Sequence, residues 1–257
     1  MNQAHIDTIE QRKLSSGYRG RELASREIRE ACPSQSVYSG STDTPLAVFD
    51  LDGTLLRSDS FLPFLTSYAR RSRRYRGLLR MPVELTRYMC RLVKDFEVKE
   101  RLMVQLLGGA SLCELREHIE WFCSSWLPRQ LHPLGMSLLK KHQAQGHRVI
   151  LLSASPDVYV PAIAAELGIT EVLCTRVACR NGICQGTIEG VNCKGLAKLK
   201  MLREHLGLDA APQNSHAYGD SAHDLHVLRW VEYGWMIGKR RSNRVLKPDG
   251  NLTASLS

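Results

Sequence analysis

The feature that most constrains this chain is a short apolar run, Leu-Ala-Val-Phe-Asp-Leu, which leads directly into Asp-Gly. The run covers residues 46–51 and contains β-branched and aromatic side chains. An apolar run of this length that ends at a turn signal is typical of a strand buried inside a parallel sheet. We therefore expect a buried strand here, followed by a tight turn.

Further strand signals follow, and helical stretches separate them. The strand signals lie at 148–153, at 171–180 with 184–190, and at 215–221, and the helical stretches lie at 135–146, 157–168 and 193–207. The pair 171–180 and 184–190 is separated by Asn181-Gly182, which strongly favours a hairpin. Strands that alternate with helices predict an α/β fold, here a Rossmann-like, doubly wound parallel sheet.

Three regions are expected along the chain. Residues 1–44 are polar and Ser-rich, with six basic and six acidic residues. Such a segment cannot offset its ordering entropy by burying apolar area, so we expect a disordered tail. Residues 45–59 and 131–257 hold the strand signals and form the predicted core. The interval 60–130 is rich in helical patterns and is predicted to be a helical cap inserted into that core.

Composition excludes some classes of protein. The chain has 257 residues, of which 43% are hydrophobic, enough for a sizeable core without disulfides or structural metals. It has no run of 18 apolar residues, and its first twenty residues lack an apolar segment. We therefore expect neither a transmembrane helix nor a secretory signal. A cytoplasmic protein with reduced cysteines is the expectation.

Polar groups follow the predicted strands at the points where these end. Ligands of open α/β sheets bind at the carboxyl ends of the strands. A lysine also lies at the expected start of a helix. Several carboxylates and one lysine at such a crevice would form a divalent-cation site that faces an anion. The residues are Asp50, Asp52, Ser153, Lys194, Asp220 and Asp224.

Four sequence motifs resemble those of the haloacid dehalogenase superfamily, and they occur in the family's order. They are Phe-Asp-Leu-Asp-Gly-Thr-Leu at 49–55, Leu-Leu-Ser-Ala-Ser at 151–155, Lys194, and Gly-Asp-Ser-Ala-His-Asp at 219–224. The helical interval after the first motif resembles the cap of the phosphoserine-phosphatase-like branch, subfamily IB. The resemblance covers roughly residues 46–240.

This resemblance implies a Mg²⁺-dependent phosphatase that hydrolyses a small-molecule phosphate monoester through an aspartyl-phosphate intermediate. Asp50 would be the nucleophile, and Asp52 would act first as general acid and then as general base. Mg²⁺ would be held by Asp50, the backbone carbonyl of Asp52, and Asp220.

The resemblance also assigns residues that bind the phosphoryl group. Ser153, Ala154 and Lys194 would contact its oxygens, with Lys194 as a point charge. Thr54 would place a hydroxyl near the phosphate. Taken alone, Lys194 would be read as a solvated surface lysine, and only its place in the motif series favours the catalytic interpretation.

Three residues have supporting or alternative roles. Gly53 would let the first loop turn tightly, and Asp224 would orient Lys194 or the waters of the metal; a purely structural role for Asp224 stays open. Asp59 lies nine positions after the predicted nucleophile, where the family has an acidic residue that faces the substrate. It could equally cap the helix that follows, together with Ser60.

The match to phosphoserine phosphatases is incomplete. Those enzymes typically carry Ser-Gly-Gly at the second motif, where this chain has Ser153-Ala154-Ser155. The fourth motif, at 219–224, also differs from their common glycine-asparagine version. These departures leave the phosphatase chemistry intact and leave the choice of substrate open.

The chain carries a net charge of +9, and most of this excess lies in the predicted cap. Residues 70–101 contain eleven basic and four acidic residues. Three interpretations stay open: a peripheral contact with an anionic membrane, steering of a phosphorylated substrate, and a solvated helix face. The first would suit a lipid head-group phosphatase, phosphatidylglycerophosphatase-like. Pro82 is predicted to break the helix in this stretch.

Two other classes of function are less favoured. Nucleic-acid binding has only the charge in its support, because no known motif is visible and aromatics make up 7% of the chain. A catalytically silent binding module is argued against by the intact Asp50 and Asp52. The expected partner is a small phosphorylated substrate, and the sequence assigns no oligomeric state.

Overall fold

The computed structural model describes residues 44–90 and 93–237, together with the backbone of 244–246. All but the last residue of the predicted tail, 1–44, lie outside the described residues. The prediction of a disordered segment there therefore stays a prediction.

A six-stranded sheet forms the centre of the described chain, with the strand order β3-β2-β1-β6-β7-β8. Its first five strands in that order are parallel, and β8 is antiparallel to β7. A separate antiparallel hairpin is formed by β4 and β5. The strands are β1 Leu46–Phe49, β2 Arg148–Pro156, β3 Glu171–Thr175, β4 Val177–Arg180, β5 Ile183–Ile188, β6 His216–Gly219, β7 Tyr233–Met236 and β8 Arg244–Leu246.

Helices account for most of the remaining described residues. They are α1 Phe61–Arg71, α2 Tyr75–Met89, α3 Asp95–Leu107, α4 Leu112–Trp121, α5 Leu127–Gln130, α6 Pro133–Ala144, α7 Val160–Glu166, α8 Leu196–Leu206 and α9 Leu225–Trp230, with a π-helical turn at Phe122–Trp126 between α4 and α5. Helices alternate with the parallel strands after β2, so the prediction of an α/β, Rossmann-like sheet is confirmed.

Strand β1 is buried on both faces, as its apolar run predicts. Leu46 and Val48 pack into one hydrophobic cluster, and Ala47 and Phe49 pack into another. Side chains alternate between the two faces of a strand, so β1 contributes to both layers of the core. This central position fixes the carboxyl end of β1, where Asp50 follows.

The helices α1 to α5, with the π-helical turn, all lie between β1 and β2; we call residues 60–130 the helical insertion. The hairpin β4–β5 is bound directly to it. The N–H of Gly109 donates to the carbonyl of Cys184 at 2.9 Å, and the N–H of Cys184 donates to the carbonyl of Ala110 at 2.8 Å. The N–H of Ile188 also donates to Glu100 Oε1 at 2.7 Å. These bonds join the insertion to the hairpin that follows β3.

The hairpin prediction is confirmed at its turn but was too simple at its first strand. Asn181 and Gly182 adopt φ values of 51° and 76°, as a two-residue hairpin turn requires. The predicted strand 171–180, however, divides at Arg176. Its first half joins the parallel sheet as β3, and its second half forms the hairpin as β4. Sequence periodicity alone does not mark where a strand leaves one sheet for another.

The prediction that Pro82 breaks the helix was wrong. Helix α2 is 15 residues long, and Pro82 lies inside it. Proline removes one backbone donor and strains the preceding turn, but an exposed helix can accommodate that loss because water satisfies the freed carbonyl. Pro82 is exposed, and its own carbonyl accepts a hydrogen bond from Thr86 Oγ1 at 2.8 Å. In the described part of the chain, every helix is too short or too polar to cross a bilayer.

Candidate functional site

The neighbouring strands β2, β1 and β6 bring three predicted site residues to one edge of the sheet. Asp50 directly follows β1, Asp220 directly follows β6, and Ser153 lies in β2 where its pairing with β3 becomes irregular. The N–H of Asp50 donates to the carbonyl of Tyr218 at 2.9 Å, which extends the β1–β6 ladder to the predicted nucleophile. The carboxyl edge of the sheet is therefore the candidate active site.

Three carboxylates form a compact cluster at this edge. Oxygen atoms of Asp50, Asp220 and Asp224 all lie within 4.8 Å of one another. Asp50 and Asp224 are buried, with relative exposures of 8% and 3%. The cluster contains two members of the predicted metal set, Asp50 and Asp220. It adds Asp224, which the sequence had assigned only a supporting role.

Lys198 is the lysine that contacts this cluster. Its Nζ donates to Asp50 Oδ1 and to Asp224 Oδ1, each at 2.6 Å, and the residue is 3% exposed. Burial alone would lower the pKa of Lys198, but the charges of Asp50 and Asp224 outweigh it and raise the pKa above its usual value. Lys198 is therefore a fixed cation at the acidic cluster.

The structure gives Lys194 a different position from the predicted one. Its Nζ forms an ion pair with Asp95 Oδ2 of α3 at 2.5 Å, and its side chain is 31% exposed. The reason is where α8 begins. The helix starts at Leu196, after Gly195 with a φ of 61°, so Lys194 precedes the helix and Lys198 occupies its first turn. The lysine that contacts the acidic cluster therefore lies four residues after the predicted one.

Burial is the main influence on the pKa of Asp50. It raises this pKa to about 8, and the nearby Asp224 and Asp52 add to the rise while Lys198 opposes it. The positive charge of Lys198 therefore does not offset burial and the neighbouring carboxylates together. A cation bound among them would favour their ionised forms.

The side chain of Asp52 has hydrogen-bond partners outside the acidic cluster. Asp52 Oδ1 accepts from the N–H of Ser60 at 2.8 Å, and Oδ2 accepts from Ser155 Oγ at 2.6 Å. Burial, followed by the charge of Asp59, raises the pKa of Asp52 to about 6. A carboxyl group with such a pKa can hold or release a proton near neutral pH, as a general acid and base must.

Asp59 caps the helix that follows it. Its Oδ1 accepts from the N–H groups of Phe61 and Leu62 at 2.9 and 3.3 Å. Of the two interpretations left open by the sequence, this geometry supports the helix cap. Asp59 still influences the site electrostatically, because its charge helps raise the pKa of Asp52.

Gly53 and Thr54 form the turn after the first motif. Gly53 has a φ of 85°, and a Cβ at this position would lie 2.1 Å from Asp220 Oδ2. Only glycine suits both the conformation and this close approach. Thr54 is fully buried, and among the described residues its Oγ1 has no hydrogen-bond partner. A buried hydroxyl without a partner is suited to a ligand oxygen.

The second motif is linked to the helical insertion. Ser153 is 1% exposed, and its Oγ accepts from the N–H of Ser155 at 3.0 Å. The carbonyl of Ala154 accepts hydrogen bonds from Lys99 Nζ of α3 and, at 2.6 Å, from Thr175 Oγ1. Neither Lys99 nor Ser155 was among the predicted site residues.

The acidic cluster has the donor set of a Mg²⁺ site. All three groups offer carboxylate oxygens, which are the ligands that Mg²⁺ prefers. Asp50, Asp220 and Asp224 carry three negative charges when ionised, and Lys198 supplies one positive charge. A divalent cation would balance the remainder, so these residues fit the predicted metal.

Comparison with known proteins decides the family. Residues 47–229 match the haloacid dehalogenase-like hydrolase family. The chain belongs to this family. The predicted membership is therefore confirmed, and with it the assignment of an enzyme of the hydrolase class.

Individual relatives agree with this assignment. Protein CicA of Caulobacter vibrioides is 31% identical over 184 residues, which cover 71% of this chain and 81% of CicA. A phosphoserine phosphatase of Albidiferax ferrireducens is 26% identical over 194 residues, which cover 73% and 76% of the two chains. The solved structure of a Bordetella pertussis protein of unknown function has a TM-score of 0.63 at 25% identity, covering 72% of this chain and 86% of that one. The resemblance to the phosphoserine-phosphatase-like branch is thus confirmed.

Proposed function

We propose that this chain is a Mg²⁺-dependent phosphatase that hydrolyses a small-molecule phosphate monoester through an aspartyl-phosphate intermediate. The observation that carries the proposal is the cluster of Asp50, Asp220 and Asp224, in which Lys198 bridges the two buried members, Asp50 and Asp224. Family membership and relatives that include a phosphoserine phosphatase support the phosphatase chemistry.

Asp50 is the proposed nucleophile. One of its carboxylate oxygens attacks the phosphorus atom, the new P–O bond forms, and the bond to the leaving oxygen breaks. Two negatively charged groups must approach each other in this step, and bound Mg²⁺ would supply the positive charge that screens their repulsion. Asp50, Asp220 and Asp224 would hold the ion. Lys198 keeps Asp50 oriented, and its fixed charge stabilises the transferring phosphoryl group.

Asp52 is the proposed acid and base. It donates its proton to the leaving oxygen in the first step. It then accepts a proton from the water that attacks the phosphorus of the aspartyl phosphate, which releases phosphate and restores Asp50. The hydrogen bonds from Ser60 and Ser155 hold the carboxyl group in place for both steps.

The remaining contacts are assigned to phosphoryl oxygens. Ser153 lies buried at the same edge of the sheet, and the unpartnered hydroxyl of Thr54 is available to a ligand. Ala154 would contribute through its backbone. The contact with the phosphoryl oxygens that the sequence assigned to Lys194 is assigned instead to Lys198. Asp224 holds Lys198 in place and is also a candidate metal ligand.

The test is hydrolysis of an aryl phosphate by the purified full-length chain. Wild-type protein should release phosphate with Mg²⁺, lose this activity in EDTA, and regain it when Mg²⁺ is restored. Asp50→Asn should reduce activity to background, whereas Asp209→Asn, which changes an exposed aspartate on the surface, should not. Activity in EDTA, or an active Asp50→Asn protein, would contradict the proposal.

A metabolite panel would identify the substrate class. The panel should include phosphoamino acids, sugar phosphates and lipid phosphates. If the enzyme prefers phosphoserine, it shares its substrate, as well as its fold, with the phosphoserine phosphatases. Preference for a lipid phosphate would favour the alternative of a lipid head-group phosphatase. The basic residues of the helical insertion are the observation that supports this alternative.

A further inference from the structure

Helix α2 exposes an unusual number of large apolar side chains. Leu79 and Met89 are 78% and 81% exposed, and Tyr75 and Val83 are 56% and 55% exposed. With Tyr88, they make up five of the eleven exposed large hydrophobic residues in the described part of the chain. Single exposed apolar residues are common on protein surfaces, but a concentration on one helix indicates an interaction surface.

The exposed residues form two parallel columns. Tyr75, Leu79 and Val83 are four residues apart, so they lie along one line of the helix. Arg76 and Arg80 follow Tyr75 and Leu79 by one residue and form a second column beside the first, in which Glu84 takes the next position. Arg87 lies about two turns beyond Arg80 on the same side. We call these two columns the outer face of α2.

The opposite side of α2 already has its partners. Leu78, Met81 and Leu85 pack against the hydrophobic core, and a Cβ at Gly77 would lie 2.7 Å from Leu106 Cδ2. The helix therefore carries two apolar stripes. The inner stripe fixes it to the rest of the insertion, so its packing does not account for the outer stripe.

The charge of the outer face is net positive. Glu84 is the one acidic residue of α2, and its side chain is only 17% exposed. It lies within 3.6 Å of Arg87 and 3.4 Å of Arg101, so its charge is turned toward arginine partners. Glu84 is thus the one carboxylate of α2 in the column of Arg76 and Arg80, and its pairing with Arg87 and Arg101 leaves the outer face with a net positive charge.

An open groove lies beside the outer face. Its volume is about 620 Å³, and its lining includes Arg80, Val83 and Glu84 of α2 and Glu100, Arg101 and Val104 of α3. Its two arginines and two glutamates balance, so the groove adds apolar side chains but no net charge. The apolar and guanidinium columns of the outer face match the boundary between lipid head groups and acyl chains.

We propose that the outer face of α2 docks the enzyme on an anionic lipid bilayer. The apolar column enters the head-group and acyl boundary, and the arginines pair with lipid phosphates. A nucleic-acid surface would use the charge without the apolar column, and a second copy of the chain would have to bring like charges together. The anionic bilayer is the partner that satisfies both columns. This inference is independent of the phosphatase mechanism.

Vesicle sedimentation of the full-length chain tests the proposal. Binding to phosphatidylcholine vesicles that contain phosphatidylglycerol should exceed binding to pure phosphatidylcholine vesicles, and it should fall as salt is raised. Leu79→Ser/Val83→Ser and Arg76→Gln/Arg80→Gln should each lower the partition coefficient by about tenfold or more. The matched controls Val191→Ser and Lys200→Gln/Arg229→Gln change exposed residues elsewhere and should bind as wild type.

Several outcomes would overturn the proposal. These are equal binding to neutral and anionic vesicles, no binding at all, or α2 variants that bind like the wild type. Salt-sensitive binding of DNA without vesicle binding would assign the arginines to nucleic acid. A dimer that Leu79→Ser/Val83→Ser abolishes, again without vesicle binding, would assign the apolar column to a second copy. Hydrolysis of a soluble aryl phosphate should persist in every variant, so a failure of docking is distinguishable from a failure of the phosphatase mechanism.

Discussion

Lys198 Nζ lies 2.6 Å from Asp50 Oδ1, inside a cluster that the sequence motif had assigned to a different lysine. The same Nζ contacts Asp224 at 2.6 Å, so one cation fixes two carboxylates on different elements. Lys194 instead joins the start of α8 to Asp95 of the helical insertion. Lys198 therefore supplies positive charge at the site, and Lys194 contacts the helical insertion. The two roles can be tested independently.

Lys198→Met should nearly abolish phosphatase activity, whereas Lys194→Met should leave it close to wild type. Removing one preorganised charge from a transferring group typically costs about 10²–10³ in rate. The measurement is kcat/KM with an aryl phosphate at saturating Mg²⁺.

Thermal unfolding of both lysine variants serves as the control for folding. Lys198→Arg retains the charge in a different shape and should recover part of the activity. If Lys194→Met lost activity and Lys198→Met retained it, the original motif assignment would be right and the proposed role of Lys198 wrong.

The fold was accessible from sequence because its strongest signals are local. The apolar run at 46–51 and the run at 148–153 are short, bounded by turn signals, and buried in adjacent parallel strands. Asn181-Gly182 likewise determines its hairpin turn through the positive φ values that these residue types tolerate. In each case the residue types themselves determine the local structure.

The errors arose where a boundary depends on tertiary contacts. The division of 171–180 at Arg176 depends on which sheet each half joins. The lysine assignment depended on whether α8 begins before or after Gly195. Gly195 has a φ of 61°, and the helix begins only after it, so Lys198 lies in the first turn and Lys194 lies outside the helix. Spacing in the sequence does not show which of two lysines four residues apart lies inside the helix.

Gly53→Ala should disrupt the acidic cluster. The new Cβ would lie 2.1 Å from Asp220 Oδ2, and the φ of 85° would be strained in addition. Gly190→Ala is the matched control, because Gly190 has a φ of 81° but no atom within 4 Å of the place that a Cβ would occupy. We expect activity to be lost in Gly53→Ala and retained in Gly190→Ala; backbone strain should lower the thermal stability of both, and the contact with Asp220 should lower that of Gly53→Ala further. Equal activity in the two variants would mean that the contact with Asp220 is unimportant.

His142 should make the protein less stable as the pH falls below neutral. Its Nδ1 lies 2.8 Å from His147 Nδ1, its Nε2 lies 2.8 Å from Tyr218 Oη, and the ring of His216 is centred 4.8 Å away. Burial, followed by the charges of His216, His147 and Lys141, lowers the pKa of His142 from 6.5 to about 4.

The direction of this pH dependence follows from proton binding. Between these two pKa values the unfolded chain binds a proton at His142 that the folded chain does not, so stability rises with pH and is fully present above the unfolded value. Urea unfolding from about pH 7 to pH 5 should show a shallower slope in His142→Gln than in the wild type. The exposed His226→Gln variant should retain the wild-type slope, and an unchanged slope in His142→Gln would refute the assignment.

Mg²⁺ should stabilise the folded protein through the acidic cluster, independently of any catalytic assay. A ligand that binds only the folded state at about a hundred times its Kd adds about 2.7 kcal/mol to the free energy of unfolding. The wild-type melting temperature should therefore rise with Mg²⁺ and return to its starting value when EDTA is added. Asp220→Asn removes one carboxylate of the cluster and should weaken this response, whereas Asp209→Asn on the surface should preserve it. Equal responses in the two variants would place the bound Mg²⁺ outside the cluster of Asp50, Asp220 and Asp224.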